Sequence, residues 1–213
     1  IGAALMIRTF MELSRIEPGF DADSVLTFSV PLSRSAWPDA ESRARFNSQL
    51  AQRLSDIPGV QAAGAARYLP LTGRLGGGSI ELEDAAPAAG GDGPPDARWQ
   101  IVTPGYFAAL RYTLLEGRPL EPTDRAGGAP VVVVNRTFAE MFWPGRSALG
   151  KRVRNTNTDV PWFTVVGVMQ DVRHSGLVDT PSPTIYFPVE QFPLTRAFSP
   201  TTMVYALRTS AEP

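Results

Sequence analysis

Residues 24–71, SVLTFSVPLSRSAWPDAESRARFNSQLAQRLSDIPGVQAAGAARYLPL, carry the most regular pattern of this chain. Apolar and polar side chains alternate over residues 24–32, and this period of two predicts a strand. Residues 60–71 predict a second strand, which is rich in small side chains. The clearest helix of the sequence lies between them. Strand, helix and strand in this order predict a βαβ unit with a right-handed crossover.

The long helix has start and stop signals of its own. Pro38 suits the first turn, Asp39 and Glu41 favour the positive end of the helix dipole, and Pro58-Gly59 ends the helix. Large apolar side chains recur at helical spacing, and we expect four of them to form the buried stripe: Phe46, Leu50, Leu54 and Ile57.

The composition changes between residues 72 and 95, where Gly, Ala and Pro surround a short predicted strand, SIELED. We place the boundary between two subdomains near residue 72. Residues 84–95 have no periodic apolar positions, so they bury too little to offset the entropy lost on ordering. We therefore expect this segment to be mobile.

The second half of the chain predicts short strands and helices. ARWQIV (97–102) and PVVVV (130–134) predict strands, and each is followed by a short helix. Asn135 is a good N-cap for the second of these helices. KRVRN and WFTVVGVMQD predict a hairpin, and TTMVYALRT (201–209) predicts a closing strand.

Composition and charge limit the function classes. The chain has 213 residues, of which 43% are hydrophobic, enough for one large domain or two small ones. The net charge of −1 gives no indication of nucleic acid binding. The absence of cysteine excludes a disulfide scaffold, a thiolate nucleophile and a Cys-ligated zinc site.

The beginning of the chain allows two interpretations. The first residue is Ile, so we expect the sequence to be a piece of a longer protein. IGAALMI is apolar up to Arg8, which suits either the last turns of a membrane helix or an ordinary amphipathic helix. No run of about eighteen apolar residues is present in the sequence.

One stretch partly matches a nucleotide-binding motif: WPGRSALGKRVR, residues 143–154. Gly145, Gly150 and Lys151 fit the spacing of a phosphate-binding P-loop, but Arg152 stands where that loop needs a hydroxyl residue to coordinate Mg²⁺. A short predicted helix also separates the buried strand from the glycines, whereas a P-loop leaves its strand directly. We interpret the motif as a turn.

Other candidate sites have simpler structural explanations. His174, the only histidine, lies near Asp171, but no nucleophile or metal-ligand spacing accompanies the pair. The acidic cluster ELED (81–84) lacks the spacing of a calcium loop, and we expect a solvated strand edge. The four tryptophans are expected to anchor cores rather than to form a ligand pocket. We assign no catalytic, cofactor-binding or metal-binding residue and no cofactor.

Six stretches together resemble one family, the extracytoplasmic core domain of MacB/FtsX-type ABC transporter permeases. The resemblance runs in order through nearly the whole chain and is closest to the duplicated permeases found in acidobacteria. The chain departs from the family at Ser147-Ala148, where an acidic residue and proline are usual. The stretches are IEPGFDADSVLTFSV, LPLTG, VTPGYFAALRYTLLEGR, VVVVNRTFAEMFWPGRSALGKRV, VVGVMQDVRHSGL and PSPTIYFPVEQ.

The resemblance implies an α+β fold, with a porter-like βαβ subdomain formed by both chain ends and an inserted mixed α/β subdomain. Residues 1–20 would be a stem helix continuing from a membrane helix, 21–71 and 196–213 the porter-like subdomain, and 72–195 the insertion. The closing strand then has a place: residues 202–208 should pair with 24–31 or 60–68 and leave an apolar sheet face uncovered.

The resemblance also implies a function without catalysis. The domain would lie in the periplasm, as part of a permease of the bacterial inner membrane, and would couple cytoplasmic ATP hydrolysis to export or to action on an envelope partner. Its partners would be the membrane helices of the same permease, an ATPase subunit or domain in the cytoplasm, and a second permease copy or an envelope accessory protein, with no nucleic acid. The alternative is a stand-alone periplasmic ligand-binding protein or hydrolase, which needs a pocket with convergent polar groups.

The interpretation of the P-loop imitation predicts that the chain does not bind ATP or GTP. Calorimetric titration with Mg-ATP should show no binding heat at millimolar concentrations, because Arg152 cannot replace the metal-binding hydroxyl. Saturable binding at micromolar concentrations would contradict this interpretation.

Overall fold

A computed structural model describes residues 18–73, 75–84, 94–156, 159–176 and 178–210. The helix expected at residues 1–16 and residues 85–93 of the segment 84–95 lie outside these ranges. Within the ranges, the strands are β1 Val25–Pro31, β2 Val60–Ala66, β3 Gly77–Leu82, β4 Asp96–Val102, β5 Leu114–Gly117, β6 Val131–Asn135, β7 Arg152–Asn155, β8 Phe163–Met169, β9 Thr184–Pro188 and β10 Thr202–Thr209. The helices are α1 Ala40–Ser55, α2 Tyr106–Ala109 and α3 Arg136–Phe142, with a 3-10 helix at Phe192–Thr195.

The strand nearest the end of the sequence lies between the two earliest strands. β10 pairs antiparallel with β1 on one side and with β2 on the other. β1 and β2 are therefore parallel, and the βαβ unit predicted from the sequence is split by a third strand inserted between its two strands. The predicted pairing of residues 202–208 with 24–31 or 60–68 is confirmed on both sides.

The buried face of α1 differs from the predicted one. Asp39 caps the helix by accepting a hydrogen bond from the Ser42 N–H. The residues that face the sheet are small or polar: Ala44, Asn47 and Ala51. Small side chains allow the helix to approach Ala63 and Ala65 of β2 closely, so the large residues of the predicted stripe are displaced to its flanks: Phe46, Leu50 and Leu54 are half-buried and Ile57 is 47% exposed.

The predicted uncovered sheet face is wrong for β10. Its apolar side chains Met203, Tyr205 and Leu207 are all buried. The Tyr205 hydroxyl donates a 2.7 Å hydrogen bond to the Asn47 side chain of α1, which fixes the helix on this face. On β1, Phe28 stacks on Tyr205 at 5.3 Å, and Leu26 is the large apolar side chain that stays exposed.

Six of the remaining strands close into a ring. Its order is β4, β3, β7, β8, β6 and β9, and β9 returns to β4 through a parallel pairing. β5 adds to the outside of this ring by pairing with β8. Every residue of β6 is buried, with Val132 and Val134 in one apolar cluster and Val131 and Val133 in another. The four consecutive valines of β6 are thus explained, because both faces of this strand are covered.

A short contact joins the three-stranded part to the ring. β2 and β4 share one residue pair, Ala66 and Val102. Thr103 extends it: its N–H donates to the Ala65 carbonyl at 2.9 Å, and its hydroxyl accepts from the Ala65 N–H at 2.8 Å. The strands β1, β2 and β10 lie outside residues 72–195 and those of the ring lie within, but the boundaries of the two subdomains stay a proposal.

The fold is α+β, as expected, with ten strands and few helices in the described ranges. No helix within those ranges combines the length and the apolar character that crossing a membrane requires.

At Gly64 the backbone of β2 lies so close to the backbone of α2 that we expect a larger side chain there to destabilise the fold. A Cβ atom there would lie 2.2 Å from the backbone nitrogen of Tyr106, and backbone atoms move only with the whole of α2. Gly64→Ala should lower the free energy of unfolding by about 1–3 kcal/mol through overpacking. Gly78→Ala is the matched control, because Gly78 is also in a strand and its Cβ would meet only the Trp99 ring at 3.4 Å. Urea unfolding measures both, and equal effects would contradict the close packing of α2 on β2.

Candidate functional site

The start of β1 and the end of β10 meet at one end of the sheet. Val25 at the start of β1 is paired with Arg208 near the end of β10. The Thr209 N–H donates to the Ser24 carbonyl at 3.0 Å, and the Ser210 N–H donates to the Gly59 carbonyl at 3.0 Å. The start of β1 and the end of β10 therefore lie side by side.

Arg208 fastens this meeting point. Its side chain is 4% exposed, and its guanidinium donates to three backbone carbonyls: Ala109 through Nε at 3.0 Å, Asp23 through Nη1 at 2.7 Å and Asp21 through Nη2 at 2.6 Å. One side chain thus links β10, the segment that enters β1, and the end of α2. The planar guanidinium suits this role because its donors point in several fixed directions.

Asp21 supplies the nearest negative charge. Its carboxylate accepts from the Asp23 N–H at 2.8 Å and from Arg111 at 2.7 Å, and it lies 3.6 Å from the Arg208 guanidinium. The Asp23 N–H, followed by the two arginines, holds the pKa of Asp21 below its usual value. The Asp21 N–H donates to the Leu110 carbonyl, so the entering segment is attached to α2 by side chain and backbone.

The first described residues also contact the ring. The Pro18 carbonyl accepts from the Arg173 N–H at 3.1 Å. Gly19, with φ of +86°, packs so closely that a Cβ would lie 2.2 Å from the Asp171 carbonyl. The segment that enters β1 is therefore attached to the loop after β8 as well as to β10.

Asn135 organises that end of the ring, and its cap role is confirmed. Its Oδ1 accepts from the N–H groups of Phe138, at the start of α3, and Thr184, at the start of β9. Its Nδ2 donates to the Asp171 carboxylate at 2.6 Å and to the Ser182 carbonyl at 3.0 Å. This buried amide therefore joins β6, α3, β9 and the loop after β8, with all four of its hydrogen-bonding positions used.

His174 and Asp171 do not form a pair. The Asp171 carboxylate accepts from Asn135, from the Thr137 N–H and from Arg136. Both ring nitrogens of His174 are buried and have no hydrogen-bond partner. Burial lowers the pKa of His174 to about 4, so the imidazole is neutral at physiological pH.

The imitation P-loop and the acidic cluster are partners of one another. Glu81 accepts from Arg154 at 2.7 Å, Glu83 accepts from Arg152 Nε at 2.7 Å, and Asp84 lies 3.5 Å from Lys151. These three ion pairs join β3 to β7 and the turn before it. Three of the four basic residues of the motif are thus paired with carboxylates of β3 and the turn after it, and its glycines form turns, with Gly150 at φ of +76°.

The remaining candidate residues are dispersed. No group of three or more His, Cys, Asp or Glu side chains suited to a metal ion occurs in the described ranges. Trp143 is fully buried beside Phe138, and the other three tryptophans pack in different places: Trp37 on Phe46, Trp99 near Phe187, and Trp162 beneath Arg154.

Arg208 is the residue that the sequence reasoning missed. From the sequence we assigned it no role beyond its place in the closing strand. An arginine near the end of an otherwise apolar strand was the available signal, because such a charge must find partners when the strand is buried.

The three carbonyl contacts of Arg208 predict a large stability effect. Arg208→Met should lower the free energy of unfolding by about 2–4 kcal/mol, because hydrogen bonds to charged groups contribute about 1.5–3 kcal/mol each and water partly replaces them. Arg53→Met, at an exposed position of α1, is the control and should change it by less than about 0.5 kcal/mol. Similar urea midpoints for the two variants would show that the Arg208 contacts contribute little.

The single histidine predicts a pH effect with a definite sign. The folded pKa of about 4 lies below the ordinary value of His174, so the unfolded state binds more protons as the pH falls. The contribution of the neutral His174 imidazole to the free energy of unfolding is complete above the pKa that His174 has in the unfolded chain. This contribution is lost as the pH falls toward 4. When the pH is lowered from 7.5 to 5, the free energy of unfolding should fall less for His174→Gln than for the unaltered chain. The difference between the two falls should be up to about 2 kcal/mol. Parallel pH profiles in urea unfolding would contradict a buried neutral imidazole.

Comparison with known proteins agrees with this architecture. The profile of the MacB-like periplasmic core domain matches residues 4–212. Comparison with curated protein sequences gave no match.

Three solved structures share the fold at low sequence identity. The periplasmic region of MacB from Actinobacillus actinomycetemcomitans has a TM-score of 0.56 and 17% identity, over 93% of this chain and 80% of that one. A domain of a putative permease protein from Porphyromonas gingivalis has a TM-score of 0.53 and 16% identity, over 88% and 75%. The extracellular domain of the noncanonic ABC-type transporter YknZ from Gram-positive bacteria has a TM-score of 0.50 and 16% identity, over 88% and 84%. With the profile match over almost its whole length, the chain belongs to the family of MacB-like periplasmic core domains of ABC transporter permeases.

Proposed function

We propose that this domain is a non-catalytic mechanical element of a permease in the bacterial inner membrane. It couples ATP hydrolysis in the cytoplasm to export or to action on an envelope partner. Its partners are the membrane helices of the same permease, a cytoplasmic ATPase subunit or domain, and a second permease copy or an envelope accessory protein.

The observation that carries the proposal is the junction at Arg208. The segment that enters β1 is joined to β10 there, and the same segment also contacts the ring at Asp171 and Arg173. A displacement applied to the entering segment or to the end of β10 therefore reaches both parts of the domain. A domain that transmits motion from the membrane needs such a connection.

The space between the two parts gives this motion somewhere to act. A cleft of about 700 Å³ lies beside α1. Ala51 and Ser55 of α1 line it, and so do Phe107, Leu120 and Met169, which lie within residues 72–195. The two strand groups share one residue pair at the β2–β4 contact, next to the hydrogen bonds between Thr103 and Ala65, and this short contact is the place about which we propose that their relative angle changes. Opening and closing of this cleft is the motion we propose.

The same cleft is the observation that favours the alternative, a stand-alone periplasmic ligand-binding protein or hydrolase. Its volume is that of an ordinary small-molecule site. The two functions differ in what flanks the domain. Coupling requires hydrophobic spans of about twenty residues on both sides of it in the full-length gene product, and a stand-alone protein has none.

The proposal is tested by distance measurement in the full-length permease with its ATPase, reconstituted in lipid. The domain contains no cysteine, so spin labels can be placed at Gln49 and Arg125, exposed positions on opposite sides of the cleft. We expect the distance distribution between the labels to shift when ATP binds or is hydrolysed. Arg208→Met should weaken this shift while ATP hydrolysis continues, and Arg53→Met should preserve both. Identical distributions in the nucleotide-free and ATP-bound states would contradict coupling through this domain.

A further inference from the structure

A second cavity, of about 410 Å³, lies at the end of the ring where β4 and β9 begin. β4 contributes Arg98, the segment before β9 contributes Ser182, and the loop after β8 contributes Arg173 and His174. The Arg98 N–H donates to the Pro183 carbonyl at 2.8 Å, which holds two of these walls together. Barrel mouths are common places for small-molecule sites, and the volume falls within the usual range.

Arg98 has no partner in the described ranges. It is half-buried, and it lines both this cavity and a smaller adjoining one of about 320 Å³. Its side chain makes no ion pair, hydrogen bond or ring contact there. The other buried and half-buried arginines of those ranges each contact a carboxylate, a carbonyl or an aromatic ring: Arg43, Arg67, Arg118, Arg154, Arg173 and Arg208. A partly desolvated guanidinium without an acceptor is an unfavourable arrangement that an anion would relieve.

The charge around the cavity has an excess of one positive unit. Arg98 and Arg173 contribute two positive charges, His174 is neutral, and Asp179 is the one carboxylate among the described lining residues. Arg173 donates to the backbone carbonyl of Asp179. Its guanidinium therefore stays available for an additional acceptor.

His174 gives a second, independent indication of a missing partner. Its two ring nitrogens are buried in the wall of the cavity without any hydrogen bond. Buried polar atoms in folded proteins are nearly always satisfied, and an exception calls for an explanation such as a water molecule or an ion.

We propose that this cavity binds an anionic oxyacid group, a phosphate or a carboxylate, with Arg98 as the principal contact. Arg173 adds a second cation, and the hydroxyl groups of Ser175 and Ser182 lie in the same wall as further donors. The guanidinium fork of arginine matches the paired oxygens of both groups. The group belongs either to a soluble solute or to a lipid headgroup.

The test uses His174 as a reporter, because it is the only histidine and gives an unambiguous imidazole signal in NMR spectra. The 213-residue chain is titrated separately with inorganic phosphate, with acetate, and with vesicles of phosphatidylglycerol in phosphatidylcholine. Sodium chloride at matched ionic strength and pure phosphatidylcholine vesicles are the references. We expect a saturable shift of the His174 signal with at least one anion and none with the references. A response to vesicles alone identifies a headgroup, and a response to phosphate or acetate identifies a soluble group.

Two substitutions make the result specific to Arg98. Arg98→Met should weaken the apparent affinity for the anion about tenfold or more. Arg98→Lys keeps the charge but loses the guanidinium fork, so its affinity should lie between those of the unaltered chain and the Met variant. Arg146→Met, at an exposed arginine that is not among the described lining residues, should bind as the unaltered chain does. Thermal unfolding shows whether each variant is folded. If Arg98→Met does not fold, Arg98→Lys alone provides the test. The proposal is overturned if no anion shifts the signal, or if the folded Arg98 variants bind as tightly as the unaltered chain.

Discussion

The insertion of β10 between β1 and β2 is the constraint on which the rest of the domain depends. It brings together residues separated by more than one hundred positions in the sequence, and it places the start of β1 and the end of β10 at the same end of the sheet. The Arg208 guanidinium secures this arrangement by binding carbonyls of the entering segment and of α2. The pairing and the arginine act together, since the strand positions the side chain and the side chain holds the neighbouring segment.

The ring depends on a second buried polar group. Asn135 occupies the point where β6 ends, and its amide bonds to the start of β9, the start of α3 and the loop after β8. The same loop carries Arg173, which binds the Pro18 carbonyl, and His174, which lines the cavity of Arg98. The entering segment, the mouth of the ring and the proposed anion site therefore share one short stretch of chain. An anion bound there would contact the same loop that holds the entering segment.

The sequence predicted local elements well and long-range closure poorly. Alternation, capping residues and Pro-Gly stops located β1, α1, β2, β6 and α3, because those signals act within a few residues. The closure of β9 onto β4 had no local signal, since parallel pairing across more than eighty residues depends on the packing of the whole ring. The stripe on α1 was incomplete for a related reason: Leu50 and Leu54 do pack against the core, but periodicity marks large apolar residues, whereas close packing on β2 selected alanines. The ion pairs between ELED and KRVRN illustrate the same limit, because the pattern of each segment argued against a binding site but gave no indication that the two segments pair with one another.

We infer that β1, β10 and β2 form one cooperative unit held at Arg208. Hydrogen exchange measured by mass spectrometry, on the unaltered chain and on Arg208→Met, tests it most directly, because exchange reports the free energy of opening segment by segment. We expect the substitution to lower the protection of residues 25–31, 60–66 and 202–209 together, and to lower it less in β6 and β8 of the ring. Loss of protection confined to β1, or equal loss in the ring, would contradict the claim.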